Sequence, residues 1–155
     1  MNYWIFDLDD TIYMTRNVMY ENIKQDIYLR CLISSLNGKK YVFTNALLIH
    51  AEAVLRKLGI IDLFEDVIDR SRLNGIKPHM ETFRKFLYLT NINKNDRCVF
   101  FEDNISNLVT AKRLGWTTVL ISPTDRRFYN HIDYNFRDIQ SAVESFTFNS
   151  SHCLR

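Results

Sequence analysis

The chain alternates short apolar runs with stretches of helical periodicity. Four runs stand out: YWIF (3–6), YVFT (41–44), CVFF (98–101) and TTVLIS (117–122). Each stops at a polar residue or just before a proline. Short continuous apolar runs of this kind predict strands buried on both faces, as in a parallel sheet. Helical spacing fills the intervals. From Asn17 to about Leu36, Ile23, Ile27 and Cys31 recur four apart, flanked by Tyr20 and Leu32. From Leu47 to Leu58, Ala51, Val54, Leu55 and Leu58 share one face, and Gly59 is placed to stop the helix. Residues 79–89 group Phe83, Phe86 and Leu87 behind Pro78, which suits helix entry. Residues 104–115 open on Asn104 and close on Gly115, and a last helix is predicted over Asp138–Phe146.

Strand alternating with helix predicts an α/β fold with a mostly parallel central sheet and right-handed crossovers. A length of 155 residues with 46% hydrophobic content suits one domain, read here as 1–148 with a polar tail at 149–155. The net charge of +2 gives no bulk attraction to nucleic acid. The first residues have neither a basic region nor a long apolar stretch, and no apolar run approaches a membrane span, so a cytoplasmic protein is expected. Cys98, inside CVFF, reads as a small core residue.

The polar residues that end the predicted strands change the picture. Asp7 and Asp9 follow the first run, Thr44 ends the second, Glu102 and Asp103 follow the third, and Lys77 precedes Pro78 in a loop. In open parallel sheets, ligands bind in the crevice beyond the carboxyl ends of the strands. Four acids in one crevice raise one another's pKa or demand a cation, and an all-oxygen set suits Mg²⁺. With an ammonium and a hydroxyl added, the crevice becomes a receptor for a phosphoryl group.

DLDDT (7–11) matches the DxDxT signature of the haloacid-dehalogenase-like (HAD) hydrolases. Thr44 after a strand resembles their second motif, Lys77 in GIKP the third, and FFEDNISN the fourth. The chain therefore resembles that superfamily from residue 3 to about residue 121, and HIDYNFRDIQSAVESF resembles its closing segment. The resemblance implies a three-layer Rossmann-like core and a Mg²⁺-dependent phosphatase. Asp7 would be the nucleophile, and Asp9 the acid for the leaving group and then the base for water. Mg²⁺ would be held by Asp7, Asp9 through its carbonyl, Asp103 and Glu102. Thr44, Asn45 and Lys77 would bind phosphate, and Asn107 would orient Lys77 or Asp103. Thr11 reads as bonding to backbone in the turn, in support of the site. Asp10 reads as a solvated or helix-capping acid, and His50 as a surface or packing residue.

Thr11 and Thr44 lie 33 positions apart, too few for a full cap domain, so the cap is expected to be reduced, over about 14–38, or absent. FDLDDTIY and FFEDN also look similar to the pyrimidine 5′-nucleotidase-like branch. The partner expected is a phosphorylated substrate, either a nucleotide-like small molecule or a macromolecule such as a phosphoprotein or nucleic-acid end. Nucleic acid enters only as substrate, no membrane is expected, and an oligomeric neighbour is one way to cover an open site. The competing readings are a phosphomutase and a non-catalytic phosphate- or partner-binding module of the same fold.

Overall fold

The structure is a computed structural model and describes residues 1–16 and 18–147. Six parallel strands form one sheet: β1 (Asn2–Phe6), β2 (Lys39–Phe43), β3 (Asp66–Ile68), β4 (Arg97–Glu102), β5 (Thr117–Ile121) and β6 (Tyr134–Phe136). Their order across the sheet is β3-β2-β1-β4-β5-β6. This is the doubly wound Rossmann-type order, and its direction reverses between β1 and β4. Six helices pack on it: α1 (Ile27–Ser35), α2 (Leu48–Leu58), α3 (Arg70–Leu73), α4 (Met80–Thr90), α5 (Ile105–Arg113) and α6 (Ile139–Phe146).

Strand alternation divides the core into two layers. Trp4, Phe6, Val42, Val99 and Phe101 face one side, where α1, α2 and α6 bring Leu29, Leu55 and Val143. Tyr3, Ile5, Phe43, Phe100 and Leu120 face the other, covered by Leu73 of α3, Phe83 and Phe86 of α4, and Leu108 of α5. Both faces of the central strands are covered, which is why their sequences read as unbroken apolar runs. Aromatic stacking locks both layers: Phe6 lies 4.7 Å from Phe101, and Phe43 lies 4.4 Å from Phe86. The register pairs Phe6 with both Val42 and Phe101. A slip of one residue would turn every one of these side chains to the wrong layer.

Four predicted helices hold, among them the last, α6, which Asp138 caps by accepting from the Ser141 N–H. In α2, Ala51, Val54, Leu55 and Leu58 are the buried residues, and Gly59 closes it in the left-handed conformation at φ 74°. Asn104 caps α5 by accepting from the Ser106 N–H, and α4 buries Phe83 and Phe86 as expected. Cys98 is buried and free. The first helix differs. Only Ile27–Ser35 is helical, capped by Asp26, and its buried face is Leu29, Leu32 and Ile33. Ile27, expected inward, is 77% exposed. Upstream, residues 18–26 hold only a 3-10 turn at Tyr20–Asn22. Asn17 and the predicted tail lie outside the described residues. Within the segment proposed as a reduced cap, α1 packs into the core layer against α6. Gly38, between α1 and β2, has φ 128°, and a Cβ there would stand 2.3 Å from the Asn2 carbonyl oxygen. Among the described residues, no helix is long and apolar enough to cross a membrane.

The parallel register brings the polar strand endings to one edge. β1, β2, β3 and β4 end at Phe6, Phe43, Ile68 and Glu102, so Asp7, Thr44, Asp69 and Asp103 emerge together. The Asp7 N–H donates to Phe101 O at 2.9 Å and the Thr44 N–H to Ile68 O at 3.1 Å, which carries the ladder one residue past the strands.

Candidate active site

Lys77 is the hub of this edge. The residue is 2% exposed, and Nζ uses all three donors: to Asp7 Oδ1 at 2.9 Å, Glu102 Oε2 at 2.8 Å and Phe43 O at 2.7 Å. Its stem lies between Phe43 and Phe100, with Nζ 4.9 and 5.3 Å from the ring centres. The loop that delivers it runs from α3 to α4 and is tied on three sides. Thr82 donates to Ile76 O, Thr110 donates to Pro78 O, and Asn45 engages Lys77 itself. Asn45 was expected at the phosphate. Its Oδ1 instead accepts from the Lys77 N–H at 2.8 Å, and its Nδ2 donates to Lys77 O at 3.1 Å. Both ends of its amide grip the lysine backbone, so Asn45 sets where the ammonium can reach.

Glu102 is saturated in the same way. Oε1 accepts from the N–H groups of Asp103 and Asn104, and Oε2 from Lys77 and Asn107 Nδ2. Asn107, expected to orient Lys77 or Asp103, therefore acts on both through Glu102. Thr11, expected to bond to backbone in its turn, instead shares its hydroxyl between Asp7 Oδ2 at 2.9 Å and Asp103 Oδ1 at 3.1 Å. Thr44 Oγ1 accepts from the Ala46 N–H at 3.0 Å, and its hydroxyl proton can serve an incoming oxygen. Asp10 lies at φ 59°, and its Oδ1 accepts from the Thr15 N–H and hydroxyl. It caps a turn, where the sequence reading gives a solvated or helix-capping acid.

Asp9 stands apart from this network. Its Oδ1 accepts from Tyr13 OH at 2.5 Å and lies 2.9 Å from His50 Nε2. The sequence reading gives His50 only as a surface or packing residue and assigns Tyr13 no role; the structure instead puts both on Asp9. His50 sits in the first turn of α2, just after the Thr44 strand end, and that placement is the signal that points to it. Asp69 was also missed. It is 1% exposed, caps α3 and accepts from the Leu48 N–H at 3.0 Å, tying the starts of α2 and α3 to the same edge.

Charge does not balance here. Asp7, Glu102 and Asp103 each bring a carboxylate oxygen within 4.8 Å of the others. Lys77 pairs its one ammonium with two of them, Asp7 and Glu102. Burial, and then the charge of Glu102, push the Asp7 carboxyl up to about 6 against the pull of Lys77. Burial pushes Asp103 up to about 6 as well, with the Asp7 charge adding to it. Burial works against the Lys77 ammonium, but Asp7 and Glu102 outweigh it and hold its pKa above the ordinary value. Two carboxyls that resist ionisation, beside one that is fully hydrogen-bonded, fit a site for a hard dication. Asp7 and Asp103 are its natural side-chain ligands, because the Glu102 oxygens are already committed.

A pH dependence follows for the metal-free protein. Burial pushes Asp7 and Asp103 up to about 6 in the folded chain, against 3.8 ordinarily. Between those values the folded chain holds protons that the unfolded chain has lost. Stability from these groups is therefore lost as pH rises through that window. Thermal unfolding in chelator should show this fall, and Asp103→Asn should flatten part of it. Stability that instead rises through the window in both proteins would contradict the assignment.

Comparison with known proteins agrees with the geometry. The profile of the haloacid dehalogenase-like hydrolases matches residues 28–115, a stretch holding Thr44, Lys77, Glu102 and Asp103 but not Asp7 or Asp9. The chain belongs to the haloacid dehalogenase-like hydrolase family. It is 28% identical over 148 residues to a glyceraldehyde 3-phosphate phosphatase of Methanocaldococcus jannaschii, covering 88% of this chain and 64% of that protein. An HAD phosphatase of Thermococcus onnurineus superposes with a TM-score of 0.70 at 18% identity, over 99% of this chain and 100% of that one. A putative HAD-hydrolase of Bacillus subtilis, YfnB, determined with magnesium bound, gives 0.65 at 17% identity over 75% of this chain and 53% of that one. At such identities the superpositions speak to the fold.

Proposed function

We propose that this chain is a Mg²⁺-dependent phosphomonoester hydrolase that works through an aspartyl phosphate on Asp7. The observation that carries the reading is the buried Asp7–Lys77–Glu102 cluster, with Asp103 beside it, at the switch point of the sheet. Magnesium, held by the Asp7 and Asp103 carboxylates and the Asp9 carbonyl, would neutralise phosphoryl oxygens and supply the missing positive charge. The Thr44 hydroxyl binds one remaining oxygen, and Lys77, held in place by Asn45 and Glu102, meets another with the N–H that it otherwise gives to Asp7 Oδ1. The Asp7 carboxylate attacks phosphorus, and the bond to the leaving oxygen breaks as Asp9 gives that oxygen its proton. Asp9 then takes a proton from water. The water oxygen attacks the phosphorus, phosphate departs and the Asp7 carboxylate is restored.

A small leaving group suits the space available. A cavity of about 320 Å³ opens beside Asp103, lined by Met14, Arg16, Ser122 and Thr124 among others. That volume is at the lower end for small-molecule sites. A nucleoside monophosphate or a triose phosphate fits this reading better than a macromolecule. The M. jannaschii relative, named for a triose phosphate substrate, supports it.

The test is phosphate release with Mg²⁺ across nucleoside monophosphates, sugar and triose phosphates, a phosphopeptide and a 5′-phosphorylated oligonucleotide. Turnover is expected on the small esters, with loss of activity in EDTA and recovery on adding Mg²⁺. Release only from the peptide or oligonucleotide would move the substrate class. A phosphorylated isomer in place of free phosphate would make the chain a mutase. No release from any substrate would leave a phosphate-binding module of the same fold.

A further inference from the structure

We propose that His50, together with Tyr13, is a positioning residue for Asp9 and decides which Asp9 oxygen carries the proton to the leaving group. The inference rests on the reading of Asp9 as general acid. Its basis is that both partners converge on one atom: Tyr13 OH reaches Asp9 Oδ1 at 2.5 Å and His50 Nε2 reaches it at 2.9 Å.

A tyrosine hydroxyl has one proton. A phenol is protonated at neutral pH, and at 2.5 Å that proton points to Asp9, the nearer of its two neighbours. The Tyr13 oxygen also lies 3.4 Å from His50 Nε2. A bare ring nitrogen facing both the Asp9 carboxylate and the phenol oxygen would meet only lone pairs. With Asp9 ionised, Nε2 therefore carries hydrogen and donates to Oδ1. Two donors then fill Oδ1. A carboxyl proton cannot share that oxygen without pushing a donor away, so the proton sits on Oδ2.

The supports of this clamp are rigid. His50 stands in the first turn of α2, whose next residue, Ala51, is fully buried with Val54 and Leu55. Tyr13 is tied to Asp9 by a backbone bridge as well. Asp9 itself needs the help, because its side chain is 38% exposed and belongs to none of the Lys77 contacts. Without the clamp its carboxyl can swing toward water. The helix that begins just past Thr44 thus serves the acid as well as the phosphate side of the crevice.

The test compares kcat/KM on an aryl phosphate, whose leaving group needs little protonation, with an alkyl phosphate, whose leaving group needs much. Asp9→Asn calibrates the scale. His50→Ala is expected to lose about tenfold or more on the alkyl ester and clearly less on the aryl ester. His50→Gln, which keeps a donor on that side, should recover most of the alkyl loss, and Tyr13→Phe should show the same selectivity more weakly. Equal losses on both esters would make His50 a structural residue and overturn the proposal. So would no loss at His50 while Asp9→Asn keeps its selective loss, and the Asp9 reading would then survive. If Asp9→Asn itself shows no leaving-group selectivity, the general-acid reading fails and this inference falls with it.

Discussion

Asp7→Asn is expected to remove turnover of an aryl phosphate in Mg²⁺, by at least about a thousandfold, while the protein stays folded. The change is isosteric and keeps an oxygen for the Thr11 hydroxyl. On the proposed mechanism it deletes the nucleophile and one charged ligand for the metal. It also takes a charge from beside Glu102, whose repulsion is part of what raises the Asp7 pKa. Lys77 keeps Glu102 and the Phe43 carbonyl as partners. The expectation for folding is therefore a small change in Tm, in contrast to the activity. Phosphate release and thermal unfolding on the same preparation separate the two effects. Full activity in this variant would refute the assignment of Asp7.

Lys77→Met should do the opposite and strike folding as hard as function. Nζ is the shared cation of two carboxylates, and the side chains of Lys77 and Glu102 are each 1% exposed. Removing one partner of a buried pair typically costs about 3–5 kcal/mol, because the remaining charge is stranded. Here two carboxylates and a main-chain carbonyl lose the same donor. A methionine fills the slot between Phe43 and Phe100 without replacing any hydrogen bond. Pairing it with Glu102→Gln should return part of the loss, since the glutamine is neutral and still accepts. Urea unfolding at pH 7 of both single variants and the double variant gives the coupling directly. Strict additivity would show that Lys77 and Glu102 do not act as a unit. A Lys77→Met protein as stable as the parent would remove the buried-cluster account altogether.

Much of this arrangement was legible along the chain, for a definite reason. Strands buried on both faces must be apolar throughout, so a carboxylate at the end of YWIF or CVFF is conspicuous. Asp7, Asp9, Thr44, Glu102 and Asp103 were found that way, and Lys77 by the motif order. Helices with one apolar register, such as α2 and α4, were equally clear. β3 and β6 escaped because three residues are too few to show a period, and Asp66 and Asp69 flank Val67 and Ile68. The first helix was misplaced because two registers compete there. The spacing of Ile23, Ile27 and Cys31 is as regular as that of Leu29, Leu32 and Ile33, and only packing against the sheet selects the second.

The sequence by itself determined which residue types gather at the carboxyl edge of a parallel sheet, and therefore the chemistry open to them. It could not assign partners atom by atom. Asn45 turning its amide to the Lys77 backbone, Glu102 spending every acceptor on neighbours, and His50 meeting Tyr13 on one oxygen of Asp9 all depend on groups 32, 25 and 41 positions apart. Those distances close only when the β2-β1-β4 register and the first turn of α2 set the side chains to within a hydrogen bond's length. Local pattern records burial, which each residue experiences alone. Pairing is a property of two residues in space, and only the tertiary structure decided it.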